Sequence, residues 1–294
     1  MRHIKPTPMI FTGVSGNKLV ADVFGEKGAP VLLLHGGGQT RHAWRQTAEA
    51  IARTGCTAYA VDQRGHGDSD WIEDGAYSFF DFAADAAAVA KAIAARAGEK
   101  PVVIGASLGG IASLIAEGEA AAKGESLFSA LVLVDITPRV DMSGVARIQG
   151  FMRAHAREGF ATVAEAAEAV AAYLPHRPRP KSNEGLRKNL RHHPDGRWRW
   201  HWDPQFLDGP RPVARERGKV EAALVEAARQ LKVPALLVRG ASSELVQEAH
   251  AKEFLELVPH AEYVDVSGAR HMVAGDRNDQ FSAAILGFLG RLGD

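Results

Sequence analysis

The sequence predicts an α/β protein with a mostly parallel sheet and helices on both of its faces. Three observations carry that expectation. Short apolar, β-branched runs alternate with helical stretches, the order expected of strands joined by helical crossovers. Some runs, Pro30-Val31-Leu32-Leu33-Leu34 among them, are apolar at every position, as strands covered on both faces are. Glycine-rich or polar loops follow the runs at once, and in such sheets ligands bind beyond the carboxyl ends of the strands. With 294 residues, 46% of them hydrophobic, the chain is long enough for one large domain carrying an insertion.

Ile10 to Phe24 reads as two strands around a turn set by Gly13, Gly16 and Asn17. The run Pro30–Leu34 ends in His35-Gly36-Gly37-Gly38, and His42 to Thr54 has helical character. A short strand, Thr57–Val61, then runs into Asp62-Gln63-Arg64-Gly65-His66-Gly67. Phe79 to Ala97 is an alanine-rich amphipathic helix with Phe82, Ala86, Val89 and Ile93 on its apolar side. Val102-Val103-Ile104 leads into Gly105-Ala106-Ser107-Leu108-Gly109-Gly110 and a small-residue helix, and Ala130–Val134 is the next strand. After Asp135-Ile136-Thr137-Pro138 the alternation stops. From Arg139 to about Lys232 the chain reads as helical and loop-like, with turn signals at Pro175, Pro178, Pro180, Pro194, Gly196 and Pro210. Strands resume at Pro234–Gly240 and Glu262–Val266, separated by a helix over about Gln247–Leu257 and followed by a helix over Phe281–Leu289. A helical stretch between two strands of one sheet reads as a lid, so residues 1–138 and 233–294 are expected to form the core and 139–232 the cap.

The formal net charge is zero, which offers no global field to recruit nucleic acid or an anionic membrane. The cap holds 18 Lys and Arg against 11 Asp and Glu, so it is basic and the remainder equally acidic. Cys56 is the sole cysteine and has no internal disulfide partner. No secretory signal is evident at the N-terminus and no segment is apolar enough to span a bilayer, so a cytoplasmic protein is expected, as monomer or homodimer.

Gly-x-Ser-x-Gly between a strand and a helix marks a sharp corner that pushes the hydroxyl of Ser107 out of the sheet, and the helix start aims free N–H groups at a developing oxyanion. A serine nucleophile needs a base, an orienting acid and an oxyanion hole. His271, on the loop after the last strand, is expected as the base. Two carboxylates compete for the acid. Glu244, after the strand ending at Gly240, is favoured, and Asp135, after the preceding strand, is the alternative; both respect the chain order serine, acid, histidine. Gly37, in a loop whose backbone can approach a substrate oxygen, is paired with the N–H of Leu108 as the oxyanion hole, with Gly38 beside it for substrate. His35 reads as structural. His66 and Asp68 have no second cluster with ligand spacing, so a polar turn held by Arg64 is expected there, with no metal and no cofactor.

Taken together, His35-Gly36-Gly37-Gly38, Asp62-Gln63-Arg64-Gly65-His66-Gly67, Gly105-Ala106-Ser107-Leu108-Gly109 and Gly268-Ala269-Arg270-His271 make the chain resemble the α/β-hydrolase superfamily, from about Ile10 to the C-terminus. The resemblance implies an eight-stranded, mostly parallel sheet with a helical cap between strands 6 and 7. The family more often carries aspartate in the loop after the seventh strand, whereas this loop offers Glu244 one residue late, and some relatives take the acid from the preceding strand. Serine at 107 sets the chain apart from relatives that open epoxides or displace halide on an aspartate. The expected activity is hydrolysis of an ester or related acyl bond in a small, apolar substrate. The alternatives are C–C hydrolase, lactonase, perhydrolase or acyltransferase chemistry on the same triad, or a ligand-binding receptor on this fold.

Arg197-Trp198-Arg199-Trp200-His201-Trp202 places three of the five tryptophans at alternate positions. If extended, the segment has an aromatic and a basic face. Trp198 and Trp200 are candidates for gripping an acyl group, with anchoring of the cap on the core the slightly favoured alternative, since large aromatics commonly cement such junctions.

Overall fold

The computed structural model describes residues 3–175, 179–180, 182–271, 273 and 278–293. One residue of the sequence reading, Pro178 among the turn signals, lies outside them.

Eight strands form one sheet: β1 (Thr7–Thr12), β2 (Lys18–Phe24), β3 (Pro30–Leu34), β4 (Thr57–Val61), β5 (Val102–Ala106), β6 (Ala130–Val134), β9 (Ala235–Gly240) and β10 (Glu262–Val266). Their spatial order is β1-β2-β4-β3-β5-β6-β9-β10. β2 pairs antiparallel with β1 and β4, and the remaining pairs are parallel. The strands at the centre, β3 to β6 and β9, are buried at every position except the half-buried Ala106 at the end of β5, as strands covered on both faces are.

Helices cover both faces. α1 (Arg45–Arg53) and the C-terminal helix (Asn278–Leu292) lie on one side, where Trp44, Ile51, Phe281, Ile285 and Phe288 share a core with Val31, Leu33, Ile104 and Val132. α2 (Phe79–Ala97) and α3 (Leu108–Ala121) lie on the other, burying Phe82, Ala86, Val89 and Ile93 against Leu32, Leu34 and Val103. α2 starts at the expected place because Ser78 and Asp81 form a reciprocal capping box, and it stops at Gly98 in the left-handed region. The final helix is longer than the periodicity suggested, at both ends.

Between β6 and β9 the chain forms α4 (Met142–Ala154), α5 (Val163–Tyr173), the short α6 (Glu184–Arg187), the hairpin of β7 (Leu190–His192) and β8 (Trp198–Trp200), the short α7 (Gln205–Asp208), and α8 (Arg217–Gln230). The alternating tryptophan segment is extended because β8 pairs with β7. α8, expected within the cap, lies against α3: a Cβ on Gly118 would come within 2.4 Å of Ala227 Cβ. α9 (Glu248–Leu257) joins β9 to β10. Among the described residues no helix is long and apolar enough to cross a membrane.

The loop after β4 is built on buried charge. Arg64 is fully enclosed and donates Nε and Nη2 to the two carboxylate oxygens of Asp85 on α2, at 2.7 and 2.8 Å. Asp85 also accepts from Val14 N at 2.9 Å, so the β1–β2 turn, the Arg64 loop and α2 share one carboxylate. Asp62 accepts from Arg41 N at 2.6 Å and Asp68 N at 2.9 Å. Removing one partner of such a pair would strand the other charge in the core.

Beside this loop stand three buried histidines, with ring centroids 5.2 Å apart for His35 and His66 and 5.9 Å for His66 and His201. Burial pushes His35 down to about 4 and His66 down to about 3, and holds His201 well below the ordinary imidazole value. The unfolded chain takes up these protons near pH 6.5, whereas the folded chain refuses them until far lower pH. The stability is therefore whole above about pH 6.5 and is lost progressively as pH falls from there toward 4. The melting temperature is expected to fall between pH 7 and pH 5, and His35→Gln, which cannot titrate, to flatten part of that slope. A slope unchanged in the variant would remove His35 from this account.

Candidate active site

Ser107 sits between β5 and α3 with φ 45° and ψ −109°, a sparsely populated conformation for a residue with a side chain. It is held there by crowding. A Cβ on Gly109 would fall 2.3 Å from Leu34 O, and one on Gly105 would fall 2.5 Å from Gly109 O. With no side chains at these positions, α3 starts hard against β3 and β5, and Ser107 O accepts from Ile111 N at 2.9 Å to open the helix.

His271 follows β10 and shares a cavity wall with Ser107. Its Nδ1 donates to Asp135 Oδ2 at 2.7 Å. This corrects the expectation that Glu244 would be its partner. Asp135 follows β6 directly, with φ 49° and no exposure. β6 lies beside β9 in the sheet, so the same carboxylate reaches the end of β9, accepting from Gly240 N at 2.9 Å through Oδ1 and from Ser243 Oγ at 2.6 Å through Oδ2. The chain after Gly240 turns back at Ser243, whose N donates to Gly240 O and whose hydroxyl receives Leu245 N and Val246 N. Glu244 is thereby carried past the histidine into the cavity wall, where its Oε2 is buried without a hydrogen-bond partner among the described residues. Ser243 is a contact of this site that the sequence reading missed, and a serine in a turn gives little to find it by.

The loop after β3 resolves by accounting for its N–H groups. Gly36 N donates to Gln39 Oε1 at 3.1 Å and Gly38 N to His66 Nε2 at 3.1 Å. Gly37 N has no acceptor among the described residues, and Gly37 lines the cavity with Ser107 and Leu108. Leu108 N–H belongs to the first turn of α3 and has no intrahelical partner. Two donors are thus available beside Ser107; a Cβ on Gly36 would lie 3.5 Å from Ser107 Cβ. His35 is structural, donating through Nδ1 to Gly36 O and accepting Gln63 N at Nε2.

The cavity measures about 750 Å³, within the range that takes small organic ligands. Its wall is mostly apolar, including Ile136, Phe151, Met152, Phe206 and Leu245. Trp200 lines it, backed edge-on by Phe160 at 5.2 Å. Trp198 does not: it packs on His192 under the Arg187 guanidinium. Trp202 and Met152 close over Gly38, positions the sequence reading did not single out for this role.

The residues from 29 to 277 match the alpha/beta hydrolase fold family. The chain is 31% identical to the esterase Rv0045c of Mycobacterium tuberculosis, over 88% of this chain and 82% of that one. It is 33% identical to a 2-(acetamidomethylene)succinate hydrolase of Mesorhizobium japonicum, over 74% of this chain and 72% of the other. Among solved structures, that of an E-2-(acetamidomethylene)succinate hydrolase superposes with a TM-score of 0.81, at 24% identity, covering 97% of this chain and 99% of the other. The M. tuberculosis esterase superposes with a TM-score of 0.75 at 28% identity, covering 99% and 93%. Sequence match, strand order and the corner at Ser107 agree: the chain belongs to the α/β-hydrolase fold family.

Proposed function

We propose that the protein is a serine hydrolase that cleaves a carboxylic ester or related acyl bond in a small, largely apolar substrate. The observation that carries this reading is the hydrogen bond from His271 to buried Asp135, with His271 and a strained Ser107 lining one cavity. The bond to Asp135 keeps the proton on Nδ1 of His271 and leaves Nε2 as the base. Nε2 takes the hydroxyl proton as Ser107 Oγ bonds to the carbonyl carbon. The carbonyl oxygen becomes an oxyanion received by Gly37 and Leu108 N–H groups. When the C–O bond breaks, the imidazolium returns its proton to the leaving alcohol. Water then repeats the sequence on the acyl-enzyme, with Nε2 again taking the proton, and releases the acid. No metal or organic cofactor enters these steps. Two relatives with esterase and hydrolase names, each above 30% identity, support the reaction class.

A fluorophosphonate probe is expected to label the protein at Ser107, and Ser107→Ala to abolish labelling and aryl-ester turnover. An adduct mapped by mass spectrometry to another residue would sink the assignment.

Asp135→Asn, which keeps the shape but loses the charge that orients His271, is expected to lower kcat by about ten-thousand-fold. Glu244→Gln is expected to cost no more than about tenfold. Melting curves of both variants control for folding, and the reverse ranking would return the role to Glu244.

Trp200→Ala is expected to shift preference toward longer or bulkier acyl chains, because the ring lines the cavity, while Trp198→Ala leaves the preference unchanged. A panel of aryl esters of rising chain length reads the difference. Equal effects of the two substitutions would mean that both rings act by anchoring.

A further inference from the structure

His66 and His201 together hold a single residue, Gly38, by both of its backbone polar groups. His201 follows β8 in the insertion, and its Nδ1 accepts Gly67 N at 2.7 Å. That bond leaves the Nε2–H to donate to Gly38 O, at 3.2 Å. His66 donates from Nδ1 to Arg64 O at 2.9 Å, which leaves Nε2 to accept Gly38 N at 3.1 Å. Each ring has its tautomer fixed by a backbone group on its far side. Both rings are buried, so no water competes for these bonds.

The grip is supported from behind. Asp203 N donates to Gly65 O at 2.8 Å, and Tyr77 hydroxyl donates to Asp203 Oδ2 at 2.7 Å. Arg191 donates to Gly67 O. The insertion is therefore stitched to the loop after β4, and through the two imidazoles to the loop after β3. Gly38 itself has φ +76°, a conformation that a peptide without these restraints would leave easily for others open to glycine. Gly36 is held at its own N–H by Gln39. Gly37 thus lies between two fastened residues, with its N–H the one left without an acceptor among the described residues.

We propose that His66 and His201 are positioning residues that fix Gly38, and through it aim the Gly37 N–H at the oxyanion. This rests on the reading of Gly37 as an oxyanion donor. It makes a side chain of the insertion part of the apparatus that sets turnover, although neither ring lines the cavity. Preorganised donors act because they need no rearrangement as charge develops. A loosened Gly38 would leave substrate binding intact and weaken only the transition state.

Amide substitutions separate this role from packing. His66→Gln keeps an acceptor near the Nε2 position, whereas His66→Asn keeps only the Nδ1-side donor. His201→Gln keeps a donor toward Gly38 O, whereas His201→Asn keeps only the acceptor for Gly67 N. With a short aryl ester, each Asn variant is expected to lose about 100-fold in kcat with KM nearly unchanged. Each Gln variant is expected to stay within about tenfold of the parent. An arylboronic acid, which forms an anionic tetrahedral adduct on a serine, is expected to bind more weakly to the Asn variants in proportion to their loss in kcat/KM. Asn and Gln variants that lose kcat equally, or in step with their melting temperatures, would overturn the positioning role. Equal boronate inhibition of parent and Asn variants would overturn it too, with the oxyanion reading left standing. Failure of the boronate to inhibit the parent would overturn both. Should His66→Asn not fold, the His201 pair decides the matter.

Discussion

The closeness of α3 to the sheet governs the carboxyl edge of this molecule. A helix cannot begin within van der Waals contact of β3 and β5 unless the residues at the contact lack side chains, and Gly105 and Gly109 meet that condition. The same contact forces Ser107 into its unusual backbone conformation, opens the first-turn N–H of Leu108, and fixes how near the loop after β3 must run. Strain at one residue is tolerated because the packing around it is over-determined. The remaining parts of the site are then arranged around a point that cannot move.

Most of the fold could be read because its signals are local. Continuous apolar runs gave the central strands, an alanine-rich amphipathic stretch gave α2, and the glycine corner and late histidine picked out two residues that line one cavity. The acid could not be read in the same way. Choosing between Asp135 and Glu244 needed two further facts: that β6 and β9 are neighbours, and that the chain after Gly240 turns back at Ser243, whose hydroxyl meets Asp135, before reaching Glu244. Spacing along the chain says nothing of either. The tryptophans show the same limit. The segment is extended, the condition under which alternation gives an aromatic face, yet Trp198 and Trp200 differ because the cavity reaches only one of them.

The basic excess of the insertion also acquires a different meaning once partners are visible. Arg139 meets Glu221 and Glu253, Arg153 meets Asp208, and Arg199 meets Asp195. Arg197 and Arg199 additionally donate to carbonyls of residues 157–159, holding the hairpin to the loop that follows α4. Much of this charge is thus engaged within the molecule, and the arginines serve as multi-donor struts that a lysine could not replace. Buried Arg64 works likewise, joining three segments through Asp85 and Ala76 O.

The fit of α8 against α3 at Gly118 and Ala227 bears on how such a protein could be recombined. Exchange of the segment between β6 and β9 with that of another hydrolase looks, from chain order alone, like a cut on either side of a detachable module. The helix contact argues that the downstream junction belongs before Arg217, so that α8 stays with the helix it was fitted to. The donor segment would also have to bring an equivalent of His201 at the end of its own strand. A graft lacking it would fold over the pocket and present new walls to a substrate, but would arrive without the hand that steadies the glycine loop beneath.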